Sequence, residues 1–138
     1  ILYRCVLETQ KYVETLVKPG ITMAWLNQQC WSFLNQELNN RVLKKAIQIK
    51  TDYEIAPHKV GHLIGMAVHD GDHNRSYQNN PLKAGQMITN EPGFYGTVTY
   101  QENGEQKHRS IGIRIEDMLL ITKDGCANLT QNIPKVQV

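Results

Sequence analysis

Apolar positions along the start of the chain recur at helical spacing. Leu2, Val6, Val13, Leu16 and Val17 share one face of a helix predicted over Ile1–Val17. Lys18-Pro19-Gly20 ends it, because proline cannot continue a helix and glycine readily leaves one. Thr22 is placed to cap a second helix in which Leu26, Cys30, Phe33, Leu34 and Leu38 repeat at about one turn. Asn39-Asn40 interrupts that pattern, and a third amphipathic stretch is predicted from Arg41 to Ile49. The two long stripes read as faces that pack into a core.

After Asp52 the pattern changes to strands and turns. "GQMITNEPGFYG", Gly85 to Gly96, predicts a strand stopped by Pro92 and Gly93. "SIGIRIEDMLLIT", Ser110 to Thr122, is the clearest strand. Ile111, Ile113 and Ile115 share one of its faces, and Gly112, Arg114 and Glu116 the other, since strand side chains alternate. Lys123-Asp124-Gly125 is a turn. Helices first and a sheet afterwards predict an α+β domain.

A chain of 138 residues, 41% hydrophobic and 20% charged, is long enough for one domain with its own core. The net charge of +2 is spread out, with Lys44-Lys45 the one basic doublet, so neither a nucleic-acid groove nor an anionic membrane surface is expected as partner. No apolar run approaches the length of a membrane span. Cys5, Cys30 and Cys126 are odd in number and far apart. That argues against a disulfide framework and for reduced thiols in an intracellular setting. The opening "ILYRCVLETQ" has neither an initiator Met nor a signal-peptide pattern and reads as the inside of a helix, so further residues are expected upstream.

Chemistry concentrates in "HKVGHLIGMAVHDG", His58 to Gly71, which carries His58, His62 and His69. His58 and His62 have the spacing of a helical zinc pair. That motif needs Glu after the first His as general base, however, and here Lys59 follows; Gly61 also weakens a helix. The pair is therefore either a surface and a core histidine or part of a functional cluster. Two acidic residues add to the picture. Glu91 sits at a strand end before Pro92-Gly93, and Glu116 lies in the most apolar strand, on the face of Arg114. A carboxylate there is costly unless paired or metal-bound; a solvated Arg–Glu pair is the alternative. One His with two Glu would make a hard site suited to Mn²⁺, Co²⁺ or Zn²⁺, whereas the cysteines have no ligand spacing.

"PHKVGHLIGMAVHD", "LKAGQMITNEPGFY" and "IGIRIEDMLLITKDGCANLT" together resemble three successive signatures of the pita-bread metallopeptidases. The nearest branch is Xaa-Pro aminopeptidase (aminopeptidase P) with its mitochondrial relatives. Prolidase stands second, and methionine aminopeptidase is more distant. "YRCVLETQ" and "VKPG" resemble the helix and turn before these motifs, so the resemblance covers nearly the whole chain. It implies a pita-bread fold of helices on a curved, mainly antiparallel sheet, with residues 1–138 as the C-terminal half of a catalytic domain. It implies two divalent ions, Mn²⁺ before Co²⁺ or Zn²⁺, held by His62 and Glu91 as ligands and Glu116 as the bridging carboxylate. His58 and His69 would face the substrate, polarising the scissile carbonyl or steadying the tetrahedral intermediate. Glu91 would also shuttle the proton, Arg114 would orient charged groups, and Tyr95 would support the shell. Gly61 and Gly65 would let backbone pack closely.

The resemblance departs from this chain in one respect. The family's site has two further aspartate ligands and a catalytic histidine before the first helix here, and these are expected upstream of Ile1. Ala67 also stands where many relatives have aspartate. Three functions compete: an incomplete dinuclear Xaa-Pro aminopeptidase (or prolidase) acting on peptides, a non-catalytic pita-bread binding module, and a stand-alone half-domain. The first implies a cytoplasmic or mitochondrial enzyme, homo-oligomeric at full length, whose partner is the missing N-terminal half and whose isolated C-terminal half is inactive. It also implies that His62, Glu91 and Glu116 converge on one point.

Overall fold

The computed structural model describes residues 1–43, 47–72 and 74–135. The first helix, α1, spans Leu2–Leu16 and buries Cys5, Val6, Thr9, Gln10 and Val13. The apolar stripe forms the expected face, and two polar residues join it. The Thr9 hydroxyl donates to the Cys5 carbonyl at 2.8 Å, which satisfies it inside the helix. Gln10 donates to the Asn90 carbonyl at 3.2 Å, and Asn90 donates back to the Gln10 carbonyl at 2.9 Å. This reciprocal pair fixes α1 to the chain immediately before Glu91.

Gly20 turns the chain in the left-handed region, φ +91°, and its N–H donates to Leu82. Thr22 then caps the second helix, α2 (Met23–Arg41), by accepting from the Trp25 N–H at 3.1 Å. Asn39-Asn40 does not end α2. The helix continues to Arg41, whose side chain pairs with Glu37 one turn back. Leu26, Cys30, Leu34 and Leu38 are buried as predicted, together with Met23 and Trp31. Phe33 lies beside that face, stacked on Tyr12 with ring centroids 4.2 Å apart.

The third amphipathic stretch does not form a helix through to Ile49: its first residue, Arg41, ends α2, and its far end is a strand. Residues 44–46 lie outside the described residues, and Gln48–Thr51 is a strand, β1, pairing antiparallel with β4. Backbone pairing to a long neighbour outweighs a short periodic pattern that has no core face of its own. The other strands are β2 (Leu63–Ile64), β3 (Met87–Asn90), β4 (Gly93–Glu102), β5 (Glu105–Arg114), β6 (Asp117–Ile121) and β7 (Cys126–Asn128). They form two antiparallel sheets, β1-β4-β5 and β2-β3-β6-β7. The α+β expectation holds.

One strand prediction holds in part and a second needs correction. β3 does stop at Asn90, just ahead of Glu91-Pro92, but Gly93 opens β4, and the chain passes between them from one sheet to the other. The apolar run Ser110–Thr122 is likewise two strands, β5 and β6, split at Ile115-Glu116. Proline suits the break because it has no N–H to give a ladder. The two breaks lie side by side, with the Ile115 N–H donating to the Pro92 carbonyl at 3.3 Å. Register is kept across them, Asn90 opposite Asp117 and Gly93 opposite Arg114. That register sets Glu91 opposite Glu116. Phe94, Ile88, Leu119 and Ile121 pack beneath with Val6, Val13, Leu26 and Leu34 from the helices.

Candidate active site

The segment between β1 and β2 carries His58 and His62 and is tied to the sheet by backbone bonds. The Glu91 N–H donates to Val60 at 2.8 Å, and the Thr89 N–H donates to His62 at 2.9 Å. Gly61 makes this approach possible, because a Cβ there would collide with the Thr89 carbonyl oxygen. Gly65 plays the same part in the next turn, packed against the Asp70 carboxylate. The close backbone packing expected of both glycines is present.

A pocket opens beside this segment, and His58, His62, His69, Glu91 and Arg114 all line it. The His62 Nδ1 is 2.9 Å from the Leu63 carbonyl. A carbonyl can only accept, so Nδ1 carries hydrogen and Nε2 of the neutral ring presents a lone pair. That Nε2 lies 3.4 Å from Oε1 of buried Glu91. A cation or a proton between these two atoms would satisfy both. Thr89 completes the arrangement, accepting from the His62 N–H at 2.9 Å and donating to Glu91 Oε1 at 2.9 Å.

Arg114, at the end of β5, donates from Nη1 to Glu91 Oε2 at 3.4 Å and from Nε to the Tyr95 hydroxyl at 2.7 Å. The carboxylate it orients is thus Glu91. Tyr95 also stands edge-on to His58, centroids 5.8 Å apart. The His58 Nδ1 is 2.7 Å from the Lys59 carbonyl, and its Nε2 is buried without a partner among the described residues. Burial lowers the His58 pKa, Arg114 adds to the effect, and the bond to Lys59 opposes it. The shift favours the uncharged ring, and Nε2 is packed beside Gly93. His69 is exposed, its ring tilted over His62 at 4.3 Å between centroids.

Glu116 departs from expectation. Its side chain is exposed in the link between β5 and β6 and does not line the pocket, although its backbone is opposite Glu91. Among the described residues no three His, Cys, Asp or Glu side chains form a metal-ligating group. His62, Glu91 and Glu116 therefore do not converge as a trio. The physical reason is the sheet switch. Strand geometry that would fix the side chain at 116 ends at Arg114, and among the described residues no hydrogen bond or ion pair holds the carboxylate. Even so, His62 and Glu91 fit a divalent cation: an imidazole with its second nitrogen anchored and a carboxylate already held by Thr89 and Arg114 is a standard ligand environment.

Sequence reasoning missed Thr89 and four pocket-lining residues, Lys59 next to His58 and Arg75, Tyr77 and Gln78 in and before the 76–79 turn. Thr89 was readable as the residue two before Glu91 on the same strand face. Arg75, Tyr77 and Gln78 rest on a loop whose geometry is tertiary. Arg75 adopts a left-handed φ of 55°, and Asp72 receives the Ser76 N–H at 2.7 Å to start the short 3₁₀ turn at 76–79.

Comparison with known proteins adds to this geometry. The model of metallopeptidase family M24 matches residues 1–123. Xaa-Pro aminopeptidase 3 of Rattus norvegicus is 36% identical over 138 residues, covering 97% of this chain and 26% of the relative. The mitochondrial intermediate cleaving peptidase 55 of Arabidopsis thaliana is 34% identical over 134 residues, again 97% of this chain and 26% of the relative. Among solved structures, Icp55 of Saccharomyces cerevisiae superposes with a TM-score of 0.76 at 33% identity, covering 98% of this chain and 34% of that one. Aminopeptidase P of E. coli gives 0.70 at 25% identity over 98% of this chain and 31% of that one. The chain thus spans about a quarter of the length of the curated relatives it matches. The described fold is that of the pita-bread aminopeptidases.

Proposed function

Because the chain belongs to metallopeptidase family M24, whose members use divalent metal, we propose that it is part of a dinuclear Xaa-Pro aminopeptidase and forms the C-terminal half of its catalytic domain. One observation carries the reading: His62 Nε2 and Glu91 Oε1 lie 3.4 Å apart in a pocket. A cation or a proton between them would satisfy both.

His62 and Glu91 would hold metal directly. Glu116 would join them as the bridging carboxylate, since the strand register already puts its backbone opposite Glu91 and its side chain is unrestrained. The remaining ligands would come from residues outside these 138. Two divalent ions, Mn²⁺ in first place, would acidify water and polarise the scissile carbonyl. Glu91 receives and returns the proton, its second oxygen steadied by Arg114. His58 lines the pocket and would face the scissile carbonyl, where an imidazole N–H can donate to the oxyanion. His69 stands at the mouth, where it meets the peptide. With proline second, the leaving nitrogen is that of a tertiary amide, and it departs as a secondary amine once it has gained the water proton that Glu91 passes on.

The full-length enzyme is proposed to act on peptides as a homo-oligomer, in the cytoplasm or in mitochondria, where a similar plant relative is placed by its name. No described helix is long and apolar enough to cross a membrane. The test is release of the first residue from a short Xaa-Pro peptide by the full-length protein with Mn²⁺. Glu91→Gln and His62→Ala should each lower kcat by a hundredfold or more, and Glu116→Gln similarly. Undiminished turnover by Glu91→Gln would remove the site; cleavage of non-proline peptides alone would remove the specificity.

A further inference from the structure

We propose that Asn27, on α2, is a positioning residue that sets where the His58 imidazole points. The inference rests on the peptidase reading above for its kinetic consequence, but not for the contacts themselves. Asn27 Oδ1 accepts two hydrogen bonds. One comes from the Val60 N–H at 2.9 Å, the other from the Trp31 indole Nε1–H at 3.1 Å, one turn further along the helix.

Each bond leads to His58. The Val60 peptide lies two residues beyond it, and the Val60 carbonyl takes the Glu91 N–H at 2.8 Å. One residue, Val60, therefore joins α2 to the Glu91 backbone through its N–H and its carbonyl, and Asn27 supplies the α2 end. Trp31 stands edge-on to His58, with centroids 5.5 Å apart and planes at 87°. Tyr95 stands edge-on from another side at 5.8 Å. The ring is thus clamped between two aromatic groups, and the bond from Asn27 fixes the orientation of one of them. His58 Nε2 is the buried nitrogen left without a partner beside the pocket. The two aromatic neighbours and the Nδ1 bond to Lys59 orient the ring, with Gly93 packed beside Nε2. Asn27 itself does not line the pocket.

A side chain that only stabilised the fold would give a different pattern in a mutant cycle. In the full-length protein, Asn27→Leu removes both bonds at similar volume. The expected result is a fall in kcat of tenfold or more with KM within twofold. Asn27→Asp keeps an acceptor in place and should restore most of the rate. Trp31→Phe keeps a ring against His58 and removes one bond, so it should fall between them and covers the case in which Asn27→Leu folds poorly. In a His58→Ala background, Asn27→Leu should cost little more, because coupled residues are not additive. Equal losses in both backgrounds would overturn the proposal. The independent readout is the ¹³Cε1 resonance of His58 in histidine-labelled full-length protein, assigned by its loss in His58→Gln. Asn27→Leu should move that signal toward an exposed imidazole and leave His108 unmoved; an unmoved His58 signal would also overturn the proposal. A wild-type protein that cuts no Xaa-Pro peptide would sink the peptidase reading, and the resonance would still decide the positioning role.

Discussion

Glu91 is the best-defined residue in the pocket. Its backbone is fixed by Val60, one carboxylate oxygen by Thr89 and the other by Arg114. Gly61 is what brings the His62 segment within reach of it. Gly61→Ala should therefore cost about 1–3 kcal/mol, the usual range when a group is forced into filled space, and should weaken activity beyond that loss. The check is a denaturation midpoint with a kcat measurement on the same samples; a neutral substitution would mean the Thr89 carbonyl can move aside. At this scale the sequence was informative. The spacing of His58, His62, Gly61 and Glu91 marked the site, because those residue types are unusual in such a pattern. Thr89 was readable beside Glu91 but not as the acceptor of the distant His62 N–H, and Asn27 was not visible as a partner at all. An asparagine in a helix has many uses, and only the fold brings a distant peptide to it.

Elements were legible where one local rule decided them. α1 and the cap of α2 followed from period and from Thr22. The division of Ser110–Thr122 into β5 and β6 did not, because burial alternates straight through the break: Ile115, Asp117 and Leu119 are all buried. Periodicity records facing, not which sheet a strand joins. Asp117 is the surprise on that face. It is 2% exposed and accepts from Thr130 at 2.6 Å, Asn128 at 2.9 Å and Lys135 at 2.6 Å. Burial opposes its ionisation, and these three donors with the Lys135 charge outweigh it, so the carboxyl sits below the ordinary aspartate range. Asn128 also donates to Glu14, which links this network to α1. Asp117→Asn should destabilise by about 1–3 kcal/mol, the cost of disturbing buried hydrogen bonds to a charged group. Lys135→Met should cost less, since Thr130 and Asn128 remain. Urea unfolding of both variants tests the order, and a larger loss for Lys135→Met would show that the ion pair, not the hydroxyl and amide, carries the network.

The whole molecule gathers His58, His62, His69, Glu91 and Arg114 around one pocket on a chain that spans a quarter of its relatives' length. Its own residues bring two groups, His62 and Glu91, to the point where a cation would sit, and leave Glu116 free. Two protein donors hold a hard divalent ion loosely, because most of its coordination remains water and the second positive centre that would anchor Glu116 is absent. Met66 and Val68, at the turn before His69, are also exposed, as are Trp25 and Ile55 near α2. Apolar surface of that kind is suited to burial against further chain. From these points the isolated 138 residues should release no first residue from an Xaa-Pro peptide at a measurable rate, with or without Mn²⁺. They should bind Mn²⁺ far more weakly than the full-length protein does, and the difference should vanish from neither quantity on raising the metal concentration alone. Adding the N-terminal part of the same polypeptide in trans should restore activity in proportion to complex formed, and Glu91→Gln in the 138-residue partner should abolish that recovery. Paired turnover and metal-titration measurements on the isolated chain, the mixture and the full-length protein make the comparison. Turnover by the isolated chain equal to that of the full-length protein would mean that the ligands assigned to the rest of the polypeptide are not needed, and that His62, Glu91 and Glu116 do their chemistry by another arrangement.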